Sequence, residues 1–89
     1  MKYRSKPVVI EIEAIKFLDS SSFDEMSKAW GKYFTNKCHY NPLMNSIIVN
    51  TLEGDMRSNP GDWIIYGTLG EFYPCKDEVF RQKYEEVEE

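Results

Sequence analysis

With one histidine, two cysteines and no apolar run longer than four residues, this 89-residue chain has little scope for several chemistries. A membrane-spanning helix needs roughly 20 apolar residues, and nothing in the sequence approaches that. The opening stretch, MKYRSKPVVIEIE, is basic, but carboxylates interrupt its apolar part after three residues. It does not read as a secretory signal, so cytosolic residence is expected, with both thiols reduced. Cys38, His39 and Cys75 are three candidate zinc ligands. A structural site takes four, usually in paired spacings, and adjacent residues rarely converge on one ion. No metal and no cofactor are expected. A thiol nucleophile needs a base to activate it, and none can be placed. Each cysteine reads as a small apolar residue.

Positive charge is also scarce: 11 Lys and Arg against 15 Asp and Glu, a net charge of −4. Affinity for nucleic acid is dominated by Lys and Arg on phosphates, so direct nucleic-acid binding is not expected. Part of the acidic excess is local, in Glu85, Glu86, Glu88 and Glu89, and residues 85–89 read as a solvated, frayed tail. Gly61, Gly67 and Gly70 fit neither a P-loop nor a dinucleotide fingerprint; hairpin turns account for them. Asp55, Asp62 and Glu71 offer carboxylates for acid–base work, but an Asp after Pro-Gly commonly serves its own turn. No catalytic residue is assigned.

Aromatics are plentiful, at 15%, and argue for a packed core over disorder. The length gives a single domain, residues 1–89, with a radius of gyration of roughly 12 Å. So small a body has little room for a private cavity, and a ligand site is expected in a surface groove or between subunits.

Residues 8–17, VVIEIEAIKF, alternate as a strand, with Val8, Ile10, Ile12 and Ala14 on one face. The apolar parity then switches to Ile15 and Phe17. This predicts either a bulge near Ala14 or a strand end buried on both faces. Ser22 with Glu25 fits a capping box, and Phe23, Met26, Trp30 and Phe34 form one stripe, predicting a helix over residues 23–34. Gly31 weakens its last turn. Residues 35–46, TNKCHYNPLMNS, read as the longest irregular segment.

Residues 47–51, IIVNT, predict a strand, LEGD a turn, and MRS the return. Asn59-Pro60-Gly61-Asp62 suits a type I or II turn. Trp63–Tyr66 and Glu71–Pro74 predict two more strands around a Gly67–Gly70 turn. Asp77 is placed as the cap of a short helix, EVFRQKYEEV, whose Phe80, Tyr84 and Val87 share a face. The expectation is an α+β fold: a small curled antiparallel sheet or half-open barrel of about five strands, with one helix after the first strand and a short C-terminal helix.

Alternation places Trp63 and Ile65 on one face and Ile64 and Tyr66 on the other, so at least one ring points away from the core or lies under a helix. Trp63, Tyr66 and Tyr73, with Arg57, Lys76 and Arg81, form the candidate surface for a ligand or partner. Packing of the terminal helix on the sheet is the competing explanation for these rings.

The segments KPVVIEIEAIKF, IIVNTLEGDM, PGDWII and GEFYPCK, with the final Phe80 and Tyr84, cover about two-thirds of the chain in fixed order. In this combination the chain resembles a family of small, largely uncharacterised proteins of tailed bacteriophages and prophages. It departs from that pattern at Tyr66, where a basic residue is usual, and at KDEVF, where Lys-Pro-Asp is usual. The resemblance implies a small accessory protein made inside a bacterium. The expected function is non-enzymatic binding of a host or defence component. Two modes are open: an acidic surface (Glu11, Glu13, Glu53) covering a basic face of a host protein, or an oligomer sequestering a nucleotide-like signal with Tyr66, Trp63 and Arg57. A virion structural or assembly protein and a small enzyme are the alternative classes.

Overall fold

The computed structural model describes residues 2–5 and 11–87; residues 8–10 of the expected first strand lie outside them. Among the described residues the order is β1 (Lys2–Ser5), β2 (Glu11–Lys16), α1 (Ser20–Thr35), β3 (Cys38–Asn41), β4 (Ser46–Thr51), β5 (Gly54–Ser58), β6 (Trp63–Tyr66), β7 (Phe72–Cys75), α2 (Asp77–Lys83) and β8 (Tyr84–Glu86). The fold is α+β and every strand pairing is antiparallel. The strands form two sheets in place of one: a five-stranded sheet ordered β7-β6-β2-β1-β8 and a three-stranded sheet ordered β3-β4-β5.

The parity switch in β2 comes from burial on both faces. The register runs unbroken from Glu13 opposite Tyr66 to Lys16 opposite Trp63, which leaves no place for a bulge among these pairs. Ile12 and Ala14 enter one cluster with Tyr3, Ile65 and Phe80. Ile15 enters another with Phe17, Met26, Trp30, Phe34, Ile47, Val49, Ile64 and Phe72. The five-stranded sheet thus lies between two cores. Helix α1 and the small sheet cover one face, and α2 covers the other. Successive side chains of a strand point to opposite faces, so β2, β6 and β7 each feed both cores.

Helix α1 starts three residues earlier than the periodicity predicts, and its cap is Asp19. That carboxylate accepts from the Ser21 and Ser22 amides at 3.0 and 3.4 Å. The Ser22 hydroxyl accepts in return from the Asp19 amide at 3.4 Å. This is a capping box set one turn upstream of the expected Ser22–Glu25 pair. Ser22 is buried, so its hydroxyl is held inside the first turn. Gly31 takes φ 62° and ψ −143°, a break inside the helix. The break still leaves Trp30 and Phe34 on the buried stripe with Met26.

Two segments correct the sequence reading. Residues 38–41, expected to be irregular, form β3 against β4, with Cys38 opposite Val49 and Tyr40 opposite Ile47. Four residues are too few to show a period, and the pairing comes from the neighbour strand. At the C-terminus the expected helix to Val87 stops at Lys83, and Tyr84–Glu86 pairs with β1, Arg4 opposite Glu85. Glutamates at a helix C-terminus oppose its dipole, whereas the edge of β1 offers a full ladder. Glu85 and Glu86, expected in a frayed tail, therefore stand in a strand. The 59–62 turn resolves as type II. Pro60 takes the second position, Gly61 has φ 99°, and the Asp62 amide donates to the Asn59 carbonyl at 3.0 Å.

At Gly31 an added Cβ meets nothing within 4 Å, so its cost is backbone strain alone. Gly31→Ala is expected to lower the unfolding free energy by about 1–3 kcal/mol, read as a lower urea midpoint at unchanged slope. An unchanged midpoint would mean that the helix break is not held in the folded state.

Candidate binding surface

The six residues singled out by sequence do not form one surface. Trp63, Tyr73, Lys76 and Arg81 belong to the α2 side of the five-stranded sheet. Tyr66 lies on the α1 side. Arg57 stands on β5 in the small sheet, opposite Ile48.

Trp63 is engaged internally. Its ring stacks on Phe80 at 4.1 Å and 9°, and Tyr3 packs edge-on at 5.3 Å. Its indole Nε1 donates to Asp77 Oδ1 at 2.9 Å. Asp77 also meets Arg81 Nε at 3.1 Å and Lys16 Nζ at 3.7 Å. Asp77, expected as the helix cap, is instead the first helical residue and anchors α2 to the sheet through the indole. The Trp63 hydrogen bond, with Arg81 and Lys16 adding to it, holds the Asp77 carboxyl below the usual carboxylate range. Lys76 reaches Asp62 at 3.7 Å; the same carboxylate accepts from the Asn59 amide at 2.9 Å. Asp62 thus serves its turn and a lysine.

Tyr66 stacks on Phe72 at 4.6 Å and packs against Trp30 at 5.8 Å. It lines a shallow groove of about 340 Å³ with Lys2, Glu11, Ile12, Glu13 and Gly67. Glu13 is partly engaged there, accepting from Trp30 Nε1 at 3.4 Å. Tyr73 is half-buried beside Tyr84, and burial, with that neighbour, pushes its phenol above the ordinary tyrosine range.

The thiols and the histidine lie apart. Cys38 belongs to the α1 core, Cys75 packs on the α2 core across the sheet, and His39 is exposed on β3 opposite Ile48. Burial pushes the Cys38 thiol up to about 12 and raises that of Cys75, so both stay protonated at neutral pH. No group of three or more His, Cys, Asp or Glu side chains among the described residues is gathered to hold a metal ion.

The larger concavity, about 500 Å³, lies between the β4–β5 turn and β7. Thr51, Leu52 and Met56 wall one side, and Phe72, Tyr73 and Pro74 the other. Leu52 is fully exposed and Met56 is 42% exposed. Leu69, on the neighbouring β6–β7 turn, is 91% exposed. Lys37, Glu53 and Glu71 supply charge at this groove. Glu71 also folds over Gly67, where an added Cβ would run into its carboxylate. The sequence reading passed over Leu52 and Met56. The signal was a leucine in the LEGD turn, a place where nothing packs against it.

No family model matches the chain, and neither a curated protein nor a solved structure matches it.

The depressed Asp77 carboxyl sets the sign of a pH effect. A carboxyl lowered by folding adds stability above its unfolded value of roughly 3.9. That contribution is lost as pH falls through the folded value. Asp77→Asn is therefore expected to be less stable than wild type at neutral pH, and the gap should close on acidification below about pH 4. A gap independent of pH in thermal melts would remove Asp77 as the charged anchor of α2.

Proposed function

We propose that this chain is a non-enzymatic binding protein that engages a protein partner through the groove between the β4–β5 turn and β7. The observation that carries this reading is the exposure of Leu52 and Met56 on the wall of the groove. Scattered surface apolar residues are ordinary, but apolar side chains gathered at a concavity rimmed by charge mark interaction sites. Lys37, Glu53 and Glu71 are that charge. The resemblance to small phage and prophage proteins supports an accessory protein acting in the host cytoplasm on a host or defence component.

The nucleotide-sequestering mode has less support. Trp63, Tyr66 and Arg57 face three different surroundings, so one ligand cannot touch all three within a single copy. The acidic mode shares the chosen surface only through Glu53.

Leu52→Glu tests the reading, with Tyr33→Glu as control, because Tyr33 is 73% exposed on α1 and lines neither groove. Affinity capture from bacterial lysate should recover one dominant host protein with wild type and with Tyr33→Glu. Its retention should fall roughly tenfold or more with Leu52→Glu, as expected for an anchor side chain. Equal retention by all three would place the binding surface elsewhere.

A further inference from the structure

We infer that β5 is a self-pairing edge, through which two copies of this chain join their three-stranded sheets across a two-fold axis. Strand β5 ends its sheet, pairing only with β4 among the described residues. Gly54, Asp55, Met56 and Arg57 are all exposed. The strand GDMRS has no proline, and its two charged side chains, Asp55 and Arg57, are of opposite sign, so an antiparallel copy can pair them instead of being repelled.

The register says which backbone groups face outward. Thr51 and Gly54 flank the two-residue turn and are partners. In an antiparallel hairpin such a closing pair is hydrogen-bonded, and bonded and non-bonded pairs alternate from it. Val49–Met56 and Ile47–Ser58 are then bonded pairs. Asn50–Asp55 and Ile48–Arg57 are not. Asp55 and Arg57 therefore direct their N–H and C=O groups away from β4, toward the open edge.

An antiparallel copy of β5 centred on Met56 places Asp55 opposite the partner's Arg57, and Arg57 opposite the partner's Asp55. These are the residues with outward backbone groups, so each pair exchanges both N–H···O bonds. Their side chains lie on one face of the joined sheet at a Cα separation of about 5.5 Å, within reach of an ion pair. Arg57 makes no ion pair among the described residues. Among the described residues the Asp55 carboxylate accepts from Asn50 Nδ2 at 3.1 Å. Met56 meets the partner's Met56 at the axis and is partly covered there, while Leu52 in the turn stays exposed as the groove's anchor. Backbone polarity, charge order and the apolar centre all select the same register. Because Met56 also walls the groove, pairing sets the two grooves side by side.

Sedimentation velocity from about 10 μM to about 1 mM, the weak end of specific association, tests this. Wild type should shift from monomer to dimer. Arg57→Asp sets like charges opposite each other and should remain monomeric. The swapped double variant Asp55→Arg with Arg57→Asp should regain the dimer. Amide exchange of Asp55 and Arg57 should slow at the higher concentration. A wild type monomeric throughout, a dimer that survives Arg57→Asp, or a swap that restores nothing would each overturn the pairing.

Discussion

The fold depends on one constraint: the middle of the large sheet is apolar on both faces and needs a cover on each. Ala14, Phe17, Ile64 and Ile65 are all fully buried, yet Ala14 and Ile65 face one core while Phe17 and Ile64 face the other. A single helix covers one face only. The chain meets the need with α1 and the small sheet on one side and α2 on the other. Burying a large side chain contributes about 1.5–3 kcal/mol relative to exposure. In a domain this small, stability is a narrow remainder, and losing either cover would consume it.

This constraint explains where the aromatics went. The α1 core joins Trp30, Phe34, Tyr66 and Phe72 in tilted, edge-on and stacked contacts. The α2 core joins Tyr3, Trp63, Phe80 and Tyr84. Of the rings that looked available for a partner, Trp63 packs into the α2 core, while Tyr66 and Tyr73 are half-buried and each also lines a groove. Apolar exposure that the folding problem does not account for remains on the turns, at Leu43 and Met44, at Leu69, and at Leu52 with Met56 beside it, and of these Leu52 and Met56 wall a groove.

Much of this was legible in the sequence, for physical reasons that also mark its limits. The WIIY strand and the Pro-Gly turn were readable because β-branched and aromatic residues between turn residues leave few alternatives. The parity switch at Ala14 and Ile15 carried the two-sided burial, although a bulge would have given the same pattern. What was hidden depends on distant partners. Strand β3 exists because β4 is beside it, and β8 exists because β1 has an open edge. Propensity points Tyr84–Glu86 toward a continued helix, and tertiary pairing overrides it. At the candidate surface, burial separated Trp63 from Tyr66 by putting them on opposite faces. Period-two alternation had already announced that separation. Leu52 carries neither ring nor charge and sits in a turn without periodicity, so the sequence alone does not mark it.

Native-state amide hydrogen exchange under mild denaturant tests the two-sided core most directly. If that core sets global stability, the amides of Ala14, Ile15, Ile64 and Ile65 in β2 and β6 exchange only through global unfolding. Those around Leu52 and Met56 then exchange through local opening at lower free energy. Exchange of β2 and β6 as fast as that of the β4–β5 turn would contradict the account.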